Sequence, residues 1–443
     1  MTSDKLDQIE NVLKSKSIEE YEIYLVERNL FETILLKNKR DVEREITDFE
    51  YFIRILSQRD DGTGIGVIIG NSLNSKQLEQ NISRCVEVSR VNSGLKYHFP
   101  ETNVPPKIIT AEDKVVKNPV TVKNDLVEEL ISNCAEQSNV EATFGRFRTH
   151  IHHNFLRNSN NIDLDSLKTF YYIELSLKAE KDGSLAEFWD ASYYKNREHL
   201  KFEERIAEWA NTARNTLNAR VPEPEKETVV IFPPNVLREA INPVVGNHSL
   251  AKTHIENASL FKETDKQVAS SQITLIDDGL LEGGLDSNPW DAEGIPHQQT
   301  VVIENGIFKN RLYDYKYALK ENTKSTGNAA RSFGGTVTNG ISNFVIKAGE
   351  ISKKEMISEI KKGYYIQKFS WLNPNVEQGF FGAEIRNGYY IENGEFKYPI
   401  KLGNVSGNVL EMIKQCLYVS KEREYCQDSY FPYIAFENLT VSS

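Results

Sequence analysis

Residues 272–349 read QITLIDDGLLEGGLDSNPWDAEGIPHQQTVVIENGIFKNRLYDYKYALKENTKSTGNAARSFGGTVTNGISNFVIKAG. Short apolar runs alternate here with glycine, asparagine and acidic residues, a pattern typical of strands joined by tight turns. Asn305-Gly306 separates two such runs, and Asn393-Gly394 repeats the arrangement further along the chain. An Asn-Gly pair favours a type I′ hairpin turn, in which both central residues have positive φ. The sequence therefore predicts two hairpins with Gly306 and Gly394 in left-handed conformations.

The two hairpins have nearly the same sequence, which leaves two interpretations open. Residues 303–309 read IENGIFK and residues 391–397 read IENGEFK. The repeat marks either two similar ends of one curved sheet or only a favoured turn. The remainder of this half is predicted to contain a helix over Val409–Val419 and a closing strand over Tyr433–Val441.

The N-terminal half combines helical and strand patterns. Apolar residues at helical spacing predict helices over Lys5–Lys14, Leu73–Asn92, Val122–Ser138 and Phe202–Leu217. Alternating runs predict strands that include Glu141–Asn154 and Thr169–Ala179. This mixture favours an α+β domain over residues 1–220, with its helices on one face of a mostly antiparallel sheet. The proline-bearing segment Val221–Glu227 is the predicted boundary with a C-terminal domain over residues 221–443.

Composition excludes several functional classes. The chain has 443 residues and a formal net charge of −11, whereas a general nucleic-acid binder usually carries a basic face. The four cysteines are scattered with no CxxC pair, which favours a reducing, cytoplasmic compartment. Met1 to Lys16 is polar and lacks the apolar core of a signal peptide. No apolar run reaches the roughly 18 residues that a membrane span needs, so we expect neither nucleic acid nor membrane as a partner.

Several short motifs in a fixed order resemble those of the TldD/PmbA family, once called modulators of DNA gyrase. The matching pieces are Asp277-Asp278-Gly279, Gly283-Gly284, Asp291-Ala292-Glu293-Gly294, Ile303 to Gly306, Ser325-Thr326-Gly327-Asn328-Ala329, Ser342-Asn343, Ile391 to Gly394 with Pro399, and Ser406-Gly407-Asn408. They cover roughly the C-terminal half; the N-terminal half matches more loosely, chiefly through residues 59–66. The resemblance implies a two-domain α+β fold, whose C-terminal sheet we expect to be strongly curved and largely antiparallel, and a link to peptide proteolysis. It further implies two types of member: TldD-type chains carry a zinc motif HExxxH, and PmbA-type (TldE) chains lack it and act as partner subunits.

The resemblance places the zinc motif at residues 238–243, where this chain departs from it. Glu239 matches the general-base glutamate of the motif, but Arg238 and Pro243 stand where the two histidines should be. Arginine is a permanent cation and proline has no side-chain donor atom, so neither can bind zinc. A catalytic zinc needs about three protein ligands and an open position for water. We therefore expect no metal or other cofactor and interpret Glu239 as structural or vestigial.

Other candidate ligands are weaker. His248 and His254 lie near the motif but six residues apart, a spacing that does not stack them on one helix face. Cys426 lies near the position where the family has a cysteine that completes the zinc site, and without the histidines we expect an inert thiol. His150 and His152 share one face of a predicted strand that also carries His153, but no third ligand is evident. The acidic residues between 277 and 293 suggest either a cation site or, more simply, turns and solvated faces.

The sequence thus predicts a metal-free, PmbA-type chain. It would act as the non-catalytic subunit of a cytoplasmic proteolytic complex that handles unfolded or extended peptides. We expect a zinc-bearing TldD-type paralogue as its partner and a homodimer when it is alone. Two alternatives remain: a metallopeptidase that uses Glu239 with a non-standard site, and a module that binds peptides without cleaving them.

Overall fold

The computed structural model describes residues 2–101 and 104–443; Met1, Thr102 and Asn103 lie outside the described residues. The α-helices are α1 Thr2–Ser15, α2 Ser75–Val91, α3 Asp113–Lys117, α4 Pro119–Ala135, α5 Phe202–Thr216, α6 Pro234–Ile241, α7 Asn247–Ser249, α8 Ala251–Ile255, α9 Tyr315–Glu321, α10 Lys353–Ser358 and α11 Val409–Met412. The strands of the N-terminal half are β1 Tyr21–Leu36, β2 Lys39–Arg59, β3 Gly62–Gly70, β4 Val140–Asn158, β5 Asp163–Lys181 and β6 Ser184–Tyr194. Those of the C-terminal half are β7 Glu225–Phe232, β8 Lys266–Gln267, β9 Leu275–Asp278, β10 Gln299–Glu304, β11 Ile307–Phe308, β12 Ala329–Arg331, β13 Val337–Asn339, β14 Phe344–Ile346, β15 Lys362–Phe369, β16 Phe380–Glu392, β17 Glu395–Ile400, β18 Asn404–Asn408, β19 Cys416–Tyr425 and β20 Ser429–Ser442.

The N-terminal strands form one antiparallel sheet with the order β3-β2-β1-β4-β5-β6. Helices α1 and α2 pack on the β1–β3 end of this sheet, where Ile23, Ile53 and Leu78 belong to one buried cluster. Helices α4 and α5 pack on the β4–β6 end, where Phe147 and Trp209 belong to a second buried cluster. Side chains of a strand alternate between the two faces, so one face of each strand contributes to these cores. The predicted α+β fold with helices on one face is confirmed.

Most of the C-terminal strands form a larger, curled sheet, and β12 and β13 pair with each other in a separate two-stranded sheet. Across the described residues the larger sheet follows the order β17-β16-β15-β7-β20-β14-β9-β10-β11-β8, and β18 pairs with both β16 and β20. The strands β16, β15, β7, β20 and β18 therefore close into a ring with no free edge between them. Only the β14–β20 and β15–β7 pairs in this sheet are parallel among the described strands. The predicted curved, largely antiparallel architecture is confirmed.

Both predicted hairpin turns have the expected backbone. Asn305 and Gly306 have φ angles of 47° and 80°, and Asn393 and Gly394 have φ angles of 52° and 78°. Positive φ at both central residues is the signature of a type I′ turn. The turns join β10 to β11 and β16 to β17.

The predicted helix over Val409–Val419 is wrong beyond its first turn. Helix α11 ends at Met412, and the chain continues as strand β19 from Cys416. Tyr418 and Val419 suit a strand by their aromatic and β-branched side chains, and β19 gains backbone hydrogen bonds along β20. Pairing with β20 therefore outweighs the local helical spacing.

Buried charges join the two halves of the chain. Arg54 and Arg331, one from each half, both bind the carboxylate of Glu22, with Arg331 Nη2 2.7 Å from Glu22 Oε1. The Tyr97 hydroxyl donates to Glu293 at 2.5 Å. The guanidinium groups hold the pKa of Glu22 below its usual value against the opposing effect of burial. This network, all of it buried, anchors the loop around Glu293 to the N-terminal sheet.

Trp290, in the same loop, is also buried. Its side chain is 3% exposed and packs against Tyr24, with ring centroids 6.3 Å apart, and against Leu156 and Ile162.

The four cysteines are free and buried in different parts of the molecule. The domain division at residue 220 stays a prediction. None of the described helices is long and apolar enough to cross a membrane.

Candidate functional site

A cavity lies where the two sheets meet. Its walls come from β6 and α5 on one side and from α6, β15 and the β19–β20 turn on the other. Arg238, Glu239 and Cys426 all line this cavity. Its volume is about 120 Å³, below the roughly 300–1,000 Å³ of typical small-molecule pockets. The fold thus brings three residues that sequence reasoning singled out to one cavity.

Helix α6 continues into a π-helical turn over Asn242–Gly246. Pro243 has no backbone N–H, so the carbonyl of Glu239 lacks its usual intrahelical donor and is crowded by the proline ring. A π-turn hydrogen-bonds residues five positions apart and so widens the helix where the proline enters. The proline is accommodated by the backbone, and it is absent from the side chains that line the cavity among the described residues.

Arg238 is held by an ion pair with Asp428, which lies on the β19–β20 turn. The two side chains are 27% and 19% exposed, so the pair is largely shielded from water. Burial opposes the charge of Arg238, but the Asp428 carboxylate outweighs this effect and raises the pKa of the guanidinium. A fixed positive charge therefore stands at the position that the resemblance assigns to the first zinc ligand.

The Cys426 thiol is engaged by backbone oxygens. Its Sγ atom lies 3.3 Å from the carbonyl oxygen of Pro234 and 3.7 Å from that of Ser429. Burial raises the pKa of this thiol well above its usual value. A thiolate, not a thiol, is the metal ligand and the nucleophile. Cys426 therefore stays protonated at neutral pH, which favours the inert role expected for it.

Glu239 points into the cavity and keeps access to solvent. Partial desolvation by the surrounding protein raises the pKa of its carboxyl to about 7, and the nearby charges of Lys368 and Arg238 limit that rise. Lys368 itself donates a hydrogen bond to Asp190. A carboxyl that titrates near neutrality is the kind that can act as a general acid or base.

The other histidine candidates lie outside this cavity. His248 is fully buried in α7, where its Nδ1 accepts a hydrogen bond from the Leu260 amide at 3.2 Å and its ring lies 5.7 Å from that of Phe261. His254 lies on a separate helix, α8. Burial lowers the pKa of both imidazoles. The structure therefore does not bring these two histidines to Cys426 as a ligand set.

The expectation of solvated faces between residues 277 and 293 is wrong for several of the acids. Asp277, Asp278, Asp291 and Glu293 are buried. Asp277 accepts hydrogen bonds from Asn328 and from the Ser342 amide and hydroxyl at 2.7–2.8 Å. Desolvation nevertheless raises the pKa of Asp277 to about 6. These buried carboxyls therefore stabilise the loop from its inner side, as the hydrogen bonds of Asp277 show.

A resident zinc ion does not fit the described residues. In residues 2–101 and 104–443, no group of three His, Cys, Asp or Glu side chains is placed to hold a metal ion. Arg238 brings a positive charge, Pro243 brings no donor, and the Cys426 thiol is hydrogen-bonded to the backbone. The side chains that line the cavity can supply ion pairing, hydrogen bonding and proton transfer at Glu239.

Sequence reasoning missed Asp428, Asp190 and Lys368. Asp428 is 190 residues away from its partner Arg238 along the chain. No spacing rule links two such positions, although removing the partner of a buried charge is strongly destabilising, which favours an acidic partner for a shielded arginine. An acidic residue close to Cys426 was the one available signal.

Comparison with known proteins gives a consistent result. A family model described as the PmbA/TldA metallopeptidase C-terminal domain matches residues 225–443. An uncharacterized protein of Methanocaldococcus jannaschii is 30% identical over 298 residues, or 66% of this chain and 68% of that protein. A metalloprotease of the same organism is 31% identical over 221 residues, and the match spans 49% of each chain.

The fold also matches a solved structure. The crystal structure of TldE from Thermococcus kodakarensis superposes with a TM-score of 0.86 over 98% of this chain and 100% of that one. The two sequences are 21% identical. At that level of identity the likeness shows a shared fold.

Proposed function

This chain belongs to the PmbA/TldD family, and from that premise we propose that it is the non-catalytic, metal-free subunit of a proteolytic complex acting on unfolded or extended peptides. Relatives in the family are named metalloproteases. The partner would be a zinc-bearing relative with an intact HExxxH motif. In this assignment the chain contributes shape and peptide contacts, and the partner contributes the metal.

The ion pair between Arg238 and Asp428 carries the proposal. Arg238 fills the place of the first zinc ligand with a positive charge that repels a metal ion. Asp428, on the β19–β20 turn, holds Arg238 in that place. Pro243 is accommodated by a π-turn and Cys426 is held as a thiol. The two histidine positions of the motif and the separate cysteine position are thus filled by groups that support a structural role.

The experiment is co-expression of this chain with a paralogue that carries HExxxH. We expect the two chains to co-purify and the pair to cleave unfolded peptides, with zinc found only in the paralogue. The matched control replaces the motif glutamate of the paralogue by glutamine; this should abolish cleavage and leave co-purification intact. A chain that ignores the paralogue, or that binds stoichiometric zinc by itself, would contradict the proposal.

The proposal extends to assembly and location. A two-fold homodimer is the simplest state of the chain alone, because two-fold pairing is the commonest solution for soluble chains. A cytoplasmic location accords with four unpaired cysteines, since disulfides are rare in reducing compartments. Analytical ultracentrifugation of the isolated chain tests the dimer.

A second candidate function is hydrolysis by this chain itself, and one observation favours it. Glu239 lines the cavity with a pKa near 7, a value suited to a general base. If the chain is an enzyme, peptide cleavage by the purified protein should be lost in Glu239→Gln. Cleavage by neither protein would contradict this second candidate.

A further inference from the structure

The N-terminal sheet has a second groove on the face opposite its helices. Its floor is formed by β1, β4 and β5, and residues of the C-terminal half, including Leu285 and Asp286, close one side. The groove has a volume of about 690 Å³, within the roughly 300–1,000 Å³ typical of ligand sites. It is therefore large enough for peptide side chains, unlike the cavity at Glu239.

The floor of this groove is aromatic. The ring of His150 stacks on that of Phe170, with centroids 4.5 Å apart and an interplanar angle of 8°. The ring of His152 meets Phe170 edge-on at 4.9 Å. Burial lowers the pKa of His150 to about 4 and that of His152 to about 3. Both imidazoles are thus neutral near pH 7, and with Phe170 they form an uncharged surface that suits an apolar side chain.

The cations of the groove differ in how well they are paired. Arg28 donates to Glu50 at 2.9 Å and to Asp48 at 3.4 Å, so its charge is balanced. The Nζ atom of Lys168, which is 17% exposed, has one carboxylate within ion-pair range among the described residues, Asp286 at 3.9 Å. That separation is too long for a hydrogen bond. Lys168 therefore retains donors for a further negatively charged group.

The groove adjoins the cavity at Glu239. Gln427 lines both, and it lies on the same β19–β20 turn as Cys426 and Asp428. Its backbone is left-handed, with φ of 53°. A ligand lying along the groove would therefore point toward the place that holds the zinc motif in TldD-type chains.

We propose that this groove binds an extended peptide, with an apolar side chain on Phe170 and His150 and the terminal carboxylate on Lys168. The inference rests on the proposed role in peptide handling and adds a substrate class, chains that end in a free carboxylate beside an apolar residue. A single underpaired cation on an apolar floor matches one carboxylate. It does not match a polyphosphate, which requires several cations or backbone donors.

The experiment measures binding of a short fluorescent peptide to the purified chain by anisotropy. The peptide ends in phenylalanine, and it is used both as the free acid and as the C-terminal amide. We expect the acid to bind more tightly than the amide. Lys168→Gln should weaken binding of the free-acid peptide about tenfold and leave binding of the amide peptide unchanged. Phe170→Ala should weaken binding of both peptides by a similar factor.

Two further variants keep the test sharp. Trp371→Ala is the matched control, because Trp371 is 76% exposed and lies outside the groove; it should bind like the wild type. Ile46→Glu is the alternative if Phe170→Ala fails to fold, since Ile46 is 42% exposed at the rim. The added negative charge should weaken binding of the free-acid peptide more than binding of the amide peptide.

The outcomes separate this inference from the function on which it rests. The proposed peptide binding in the groove would be contradicted by equal binding of acid and amide by the wild type, by no binding at all, or by identical binding by every variant. Failure of the chain to join a zinc-bearing paralogue, together with the expected peptide results, would overturn the subunit role and leave the groove standing.

Discussion

Gly394 allows the hairpin turn to be tested at a single backbone position. A Cβ atom there would lie 2.7 Å from the carbonyl oxygen of Ser358, and φ is +78°. We expect Gly394→Val to lower the free energy of unfolding by about 1–3 kcal/mol, measured by urea denaturation. Gly183 has φ of +79° with no atom near its Cβ position, and Gly382 has neither strain nor a clash.

Those two glycines are matched controls. Gly183→Val should show the cost of the left-handed backbone alone, and Gly382→Val should be close to neutral. If all three valine variants were equally stable, the turn geometry at Gly394 would be wrong.

Glu239 gives a prediction about pH. The pKa of its carboxyl rises from 4.5 to about 7 in the folded chain, so the folded state holds the proton more tightly than the unfolded state does. The resulting stabilisation is fully present below pH 4.5 and is lost as pH rises through about 7. We expect Glu239→Gln to remove this part of the pH dependence of Tm. The same decline of Tm across that window in both proteins would argue against the shift.

At the scale of the elements, Arg238 and Asp428 tie helix α6 to the β19–β20 turn. Each single alanine variant should destabilise the chain, because it leaves one shielded charge without its partner. The double variant should be less destabilised than the sum of the two, with a coupling energy of roughly 0.5–3 kcal/mol. A double-mutant cycle by chemical denaturation measures this coupling. Strict additivity would show that the ion pair contributes nothing to the docking of the turn.

The predictability of individual elements followed the strength of the local signal. The helix predicted over Phe202–Leu217 is present as Phe202–Thr216, because its apolar stripe agrees with its packing on the sheet. The Asn-Gly turns were predictable because their conformation depends on two adjacent residues. Strand β19 was missed because its identity depends on β20, a partner that local spacing does not reveal. For the same reason the sequence located Arg238 and Pro243 but not Asp428.

At the scale of the whole molecule, the Glu22–Arg54–Arg331 network is one of the contacts that join the two halves. The three side chains are 0–7% exposed. We expect Arg331→Ala to destabilise the protein by roughly 3–5 kcal/mol, because it leaves Glu22 with one of its two partners. Calorimetry should then resolve separate transitions for the two halves. Arg44, which is 54% exposed, is the control, and its alanine variant should change stability by less than about 1 kcal/mol.

Because all four thiols are buried, their reactivity can report local opening of the folded chain. Cys85, Cys134 and Cys416 lie in three separate cores, and Cys426 lies beside the cavity. A thiol-reactive reagent can modify each one only when its surroundings part, so the rate at each site reports the local opening equilibrium. Mass spectrometry of partly labelled protein would then order these regions by their ease of opening, with no label engineered into the chain.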